Sequence, residues 1–84
     1  MTYAVLLSSR AERFYRKLGK ETQARVREAL VSLMDRPHEG KRLHGDLRGN
    51  YSLRVEKLRI IYSISERDKA VCVTAIGPRK RIYR

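Results

Sequence analysis

The sequence holds one cysteine, Cys72, which excludes an intrachain disulfide and a cysteine-built zinc site. Placed among Val71, Val73 and Ala75, it reads as a half-buried, inert thiol, and a reducing cytoplasm suits such a chain. No window approaches the roughly 20 apolar residues that a membrane span needs, and no signal-peptide pattern opens the chain. Internal repeats, low-complexity tracts and linkers are also missing. Carboxylates are scarce, with 9 Asp and Glu against 20 Lys and Arg, a formal charge of +11. Neither a carboxylate pair, a metal-ligand cluster nor a Ser-His-Asp arrangement is evident, so no cofactor is expected. The 84 residues, 42% of them hydrophobic, suit one domain (1–84) with a single modest core.

What is abundant is positive charge, and it is uneven. Residues 1–40 carry eight basic and five acidic side chains, whereas residues 41–84 carry twelve and four, a net charge of about +3 against +8. A field of this size concentrates polyanions and gives salt-dependent affinity for nucleic acid. An acidic protein or a membrane surface would answer the same field, but with no membrane-directed segment nucleic acid is favoured.

The chain divides into a helical part and a strand part. Residues 3–8 form an apolar run that fits a buried strand. Ser9 and Glu12 have the spacing of a capping box, and Ala11, Phe14, Tyr15 and Leu18 follow at helical intervals until Gly19 ends the turn. A second helix is expected from about Glu21 to Asp35, with Val26, Ala29, Leu30 and Leu33 on one face. Pro37 stops it, and residues 37–40 read as a loop. Strands are then expected at 41–47, 50–56, 58–65 and 70–77. The reading is an α+β fold of two layers, a helical hairpin packed on a twisted antiparallel sheet.

The hairpin within 50–65 carries the functional signal. Tyr51, Leu53 and Val55 alternate with Ser52 and Arg54, while Leu58, Ile60, Tyr62 and Ile64 form the matching apolar face. An even loop centred on Glu56 and Lys57 sets Leu53 opposite Ile60, Tyr51 opposite Tyr62, and Arg54 opposite Arg59. Like charges directly opposed on an antiparallel pair are destabilising, so a sheet that places them there is suited to receive an anion. Arginine is a bidentate phosphate ligand rather than a proton shuttle. Arg54, Arg59 and Arg79 therefore suit stabilisation of a phosphorane. Tyr83 adds a phenol that positive neighbours would acidify, or a ring for stacking on an exposed base. Lys41, Arg42, Arg48, Lys57, Lys80, Arg81 and Arg84 would hold the RNA backbone. RNA can be cut by such a set without metal, because its 2′-hydroxyl is an internal nucleophile. On residue types alone the same surface would also serve a module that only binds. His38 reads as solvated, and His44 as a surface contact with general-base chemistry as the alternative.

The motifs 43–49 (LHGDLRG), 51–55 (YSLRV), 58–62 (LRIIY) and 76–84 (IGPRKRIYR) together resemble the RelE/ParE superfamily of type II toxins. The resemblance implies a microbial-ribonuclease-like fold and a cognate antitoxin with an acidic or amphipathic helical segment. For RelE-type members it implies ribosome-dependent cleavage of messenger RNA in the A site, without metal, by 2′-hydroxyl attack. Their functional residues then map onto Arg54, Arg59, Arg79 and Tyr83. One departure stands out: the best-known RelE type shows lysines at both outward positions of the strand carrying Arg54, and here the first is Ser52. That leaves the general base unassigned. The chain ends directly after the last motif, so no C-terminal helix is expected for an antitoxin to displace. The rival implied by the same resemblance is a ParE-type inhibitor of DNA gyrase.

Overall fold

Two adjacent serines compete to start the first helix, and the tertiary structure chooses between them. The computed structural model describes residues 2–78. In it Ser8, not Ser9, is the N-cap of α1 (Ser9–Arg16), its hydroxyl accepting the Ala11 N–H at 3.1 Å. The same hydroxyl donates to the Thr74 carbonyl at 2.8 Å, which ties the helix start to the sheet. Glu12, freed from the expected capping box, pairs with Arg16 at 2.9 Å on the surface. Gly19 caps the start of α2 (Lys20–Asp35) rather than closing α1. A 3-10 turn at Pro37–Glu39 replaces the expected loop.

The strands are β1 (Ala4–Leu7), β2 (Lys41–Arg42), β3 (Tyr51–Val55), β4 (Leu58–Ser65) and β5 (Ala70–Pro78). They form one sheet in the order β1-β5-β4-β3-β2. The fold is α+β as expected, and a strand precedes the helices as the 3–8 run suggested, so the helices are not strictly N-terminal. The expectation of a wholly antiparallel sheet is corrected: β1 lies parallel to β5, the last strand, so the sheet is only mostly antiparallel. The helical layer supplies the long crossover that a parallel pair requires. Nor is β1 buried: it is an edge strand, and Leu6 remains 56% exposed. A short apolar run does not by itself distinguish a central strand from an edge strand with one packed face.

The predicted 41–47 strand is also shorter. Only Lys41 and Arg42 pair with β3, and a second 3-10 turn at Gly45–Leu47 follows. Gly45 (φ +68°) and Gly49 (φ +93°) take left-handed backbone that ends the ladder there.

Ala11, Val26 and Leu33 of the helices meet Ile60, Tyr62, Val71, Val73 and Ile76 of the sheet in one buried cluster. Tyr62 is its only buried phenol among the described residues, and all of it is out of solvent. Its hydroxyl donates to the Pro37 carbonyl at 2.8 Å and accepts the Gly40 N–H at 2.9 Å. Burial raises the Tyr62 pKa above its ordinary value. The ring stacks on Tyr51, centroids 5.3 Å apart. Gly40 passes so close that a Cβ there would stand 2.5 Å from the Tyr62 hydroxyl and 2.9 Å from the Ser52 carbonyl.

Two tests follow from this packing. Tyr62→Phe leaves a buried carbonyl and N–H without their partner and should cost about 1–3 kcal/mol. Gly40→Ala should cost a similar ~1–3 kcal/mol through overpacking against backbone that cannot yield. Urea denaturation checks both, and a wild-type midpoint in either variant contradicts the assignment. At the far edge, Tyr3 donates to Glu66 at 2.6 Å, and this bond holds the Glu66 carboxyl below its ordinary value. Stability from it is present above the ordinary carboxylate range and is lost as pH falls through the lowered value. Thermal melts of Tyr3→Phe should therefore lag the wild type at neutral pH and converge with it in strong acid. A gap that persists unchanged in acid assigns the effect to packing instead.

Candidate nucleic-acid interface

Strand alternation sorts the hairpin's side chains between the helix layer and the opposite, outer face. The observed register pairs Tyr51 with Tyr62, Leu53 with Ile60, and Arg54 with Arg59, as the even turn requires. Glu56 makes the turn with φ +56°. On the outer face Arg59 therefore has Arg54 on one side and, across β5, Gly77 on the other. Gly77 adds no side chain on that flank, although its backbone is buried. Arg54 is exposed and Arg59 half-buried, so the two are held side by side at the surface of the sheet.

Their charge is left standing. The nearest carboxylate in sequence, Glu56, is bound by Arg25 of α2 at 2.6 Å. Arg54 gives one donor, Nε, to the Glu56 carbonyl at 3.3 Å. Among the described residues no carboxylate pairs with Arg54 or Arg59. A phosphate would relieve the repulsion between them and accept their remaining donors.

The outer face beside the pair is not the open polar surface that alternation suggested. Ser52 is only 8% exposed. It shares a row with Lys41, Ile61 and Ala75, and Leu43 packs on the last two. The row is thus apolar at its centre, with Lys41 exposed at its edge. A low-dielectric floor next to exposed cations strengthens their field.

The expected RNA-binding set is divided. Lys41 shares the outer face with the arginine pair, and Lys57 is exposed at the turn. Arg42 pairs with Tyr51 and so faces the other way. With Arg48 it lines a separate cleft of about 420 Å³, where His38 and His44 also lie. His44 is therefore away from the arginine pair. Arg79, Lys80, Arg81, Tyr83 and Arg84 lie outside the described residues. The described chain ends at Pro78, opposite Leu58 and one position along from Arg59.

A third basic feature escaped the sequence reading. Arg10, Arg13 and Lys17 of the α1 segment, with Phe14, Ile76, Gly77 and Pro78, line a cleft of about 310 Å³. The signal was available as cations at i, i+3 and i+7, one helical face. Among the described residues no group of three or more His, Cys, Asp or Glu could hold a metal ion. No helix of the described residues is long and apolar enough to cross a membrane.

Comparison with known proteins places this arrangement in context. Residues 5–83 match the family model described as ParE toxin of type II toxin-antitoxin system, parDE. The structure is similar to the toxin-antitoxin complex RelBE2 from Mycobacterium tuberculosis, at 30% identity and a TM-score of 0.85. That match covers 94% of this chain and 100% of the other. It is also similar to the archaeal RelE-RelB complex from Pyrococcus horikoshii OT3, with 27% identity and a TM-score of 0.80, over 96% and 99% of the two chains. The intact E. coli RelBE complex shares the fold, at 21% identity and a TM-score of 0.81, over 94% and 99%. No curated protein sequence matches significantly.

An opposed pair of unneutralised arginines carries a stability cost that substitution should expose. Arg59→Thr and Arg54→Thr should each stabilise the fold by about 0.2–1 kcal/mol at low salt. The gain should shrink in concentrated salt, which screens the repulsion. Urea midpoints at two ionic strengths check this. Destabilisation by both variants would mean that the pair is satisfied within the fold.

Proposed function

This chain belongs to the ParE toxin family of type II toxin-antitoxin systems, within the RelE/ParE superfamily, and from that premise we propose that it is a ribosome-dependent endoribonuclease that cuts messenger RNA in the A site. The observation that carries the reading is the cross-strand pair of Arg54 and Arg59, without a carboxylate partner among the described residues and with a glycine, Gly77, as the β5 neighbour of Arg59. Gyrase inhibition, the rival chemistry of the superfamily, gives no reason to hold two arginines ready for a phosphate.

The reaction needs no external nucleophile. The 2′-oxygen forms a bond to the adjacent phosphorus, and the bond from phosphorus to the 5′-oxygen of the next nucleotide breaks. The 2′-proton passes to a base, and the departing 5′-oxygen takes up a proton. The products are a 2′,3′-cyclic phosphate and a 5′-hydroxyl. Charge builds on the phosphoryl oxygens in the transition state, and Arg54 and Arg59 offer fixed donors for it. Arg79 is assigned to the same phosphate, and Tyr83 to orienting or deprotonating the 2′-hydroxyl. Ser52, 8% exposed, supplies no cationic group at the position where lysine was the alternative.

A toxin of this charge requires a partner that silences it. Two similar solved structures are toxin-antitoxin complexes, and a cognate antitoxin with an acidic or amphipathic helical segment is the partner proposed here. The cleft of Arg10, Arg13 and Lys17 around Phe14, Ile76 and Pro78 has matching chemistry, cationic at its rim and apolar at its base. Complementary charge mainly speeds such association.

Primer extension on messenger RNA in a translation extract, with and without ribosomes, tests the activity. The wild type should produce discrete cuts only when ribosomes are present. Arg59→Ala should slow single-turnover cleavage by roughly 10²–10³, the loss typical of one transition-state donor. Tyr83→Phe should slow it by about 10² if the phenol assists proton transfer. Wild-type cleavage by Arg59→Ala would remove the pair from the mechanism. No cleavage by the wild type, together with inhibited supercoiling by gyrase, would establish the rival.

A further inference from the structure

We propose that the cleft holding Arg42 and Arg48 is a second phosphate-binding site, one that grips an RNA phosphodiester away from the point of cleavage. The inference rests on the RNA-directed reading above and adds to it a separate point of attachment. The space, about 420 Å³, lies between the second 3-10 turn, the start of β3 and the end of β4. Its volume falls within the range of ligand-binding pockets.

Register separates this cleft from the arginine pair. Arg42 pairs with Tyr51 and so stands on the helix side of the sheet, whereas Arg54 and Arg59 stand on the outer side. Ile64, in the cleft lining, is five residues along β4 from Arg59, about 17 Å at strand rise. One phosphate cannot touch both sets.

Charge accounting makes the cleft an anion site. Among the described residues Glu66 is the one carboxylate in its lining, and both its oxygens are occupied. Oε1 accepts from the Tyr3 hydroxyl at 2.6 Å and from Lys69 at 3.4 Å, while Oε2 lies 3.4 Å from His38 Nε2. Asp46, in the neighbouring turn, forms no ion pair with the cleft's cations. Arg42, Arg48 and His44 are therefore left without a carboxylate among the described residues. Two guanidinium groups and an imidazole lining one concave surface match a phosphate rather than an apolar ligand. The base would not stack on Tyr51, because one face of that ring is against Tyr62 and His38 meets it edge-on. Recognition here is of backbone, without sequence preference.

The phosphodiester could belong to the messenger strand or to ribosomal RNA, and two arms of one experiment separate them. In the first, the full chain is titrated with a 2′-O-methyl pentaribonucleotide, which lacks the nucleophilic hydroxyl and so remains uncut. The His38 and His44 imidazole resonances should shift in the wild type, and Arg42→Gln/Arg48→Gln should abolish that response and weaken binding about tenfold. In the second arm, ribosome association is measured against salt. The double variant should lose about tenfold in affinity, with the slope of log K against log salt reduced by about 1–2. Response in the first arm assigns the site to the messenger, and response in the second arm alone assigns it to ribosomal RNA. Still histidine resonances together with unchanged ribosome affinity and slope would overturn the proposal. All four residues are exposed, so unfolding midpoints should match the wild type. Absence of cleavage would refute the catalytic reading and leave these binding readouts intact.

Discussion

Side chains alternate along a strand, so the two-residue turn at Glu56 and Lys57 governs which groups reach the core and which reach the outer face. A slip of one residue would send Leu53 and Ile60 outward and bring arginines inward. Burying the apolar set against Val26 and Leu33 pins the register. The repulsion between Arg54 and Arg59 is then an unavoidable consequence of a register fixed from the other face. The core holds the arginines in place, and Arg25 removes the one nearby carboxylate by binding Glu56. Local stability is lowered at the position where the proposed reaction would place an anion.

Tyr62 extends this control to the far end of the sheet. Its hydroxyl joins the Pro37 carbonyl to the Gly40 N–H, which fixes where the chain leaves α2 and enters β2. From that point Lys41 and Arg42 diverge to opposite faces. One phenol thus helps set where the basic residues divide between the two faces of the sheet. Such a division suits the proposed activity, in which a large polyanion is held at one place and one of its bonds is cut at another. The holding charges contribute affinity and salt dependence. In the proposed reaction the opposed pair would contribute stabilisation in the transition state.

Local patterns were legible in the sequence where one force acted alone. The hairpin register followed from alternation and an even loop, and both helices from their apolar spacing. The reading faltered where tertiary contacts chose between equivalent options. Ser8 prevailed over Ser9 because its hydroxyl also reaches the Thr74 carbonyl, a contact with no local trace. The 41–47 segment was expected to be one strand, but glycines at 45 and 49 take left-handed backbone and end the pairing. Ser52 is on the predicted face yet buried, because Leu43 returns over Ile61 and Ala75. The position of β1 beside β5 is a matter of topology, which no window of sequence contains. Of the candidate site, Arg54 and Arg59 were readable as a pair, whereas the separation of Arg42 and Arg48 from them required the register of β2.

The account's central claim is that Arg54 and Arg59 act together on one phosphate. A double-mutant cycle measures this directly, using single-turnover cleavage by the wild type, Arg54→Ala, Arg59→Ala and the double variant on ribosome-bound messenger RNA. Groups that share one transition-state charge are strongly non-additive. The account predicts that the double variant is scarcely slower than Arg59→Ala alone. Rate losses that multiply independently would contradict it, because they would place the two arginines on separate phosphates.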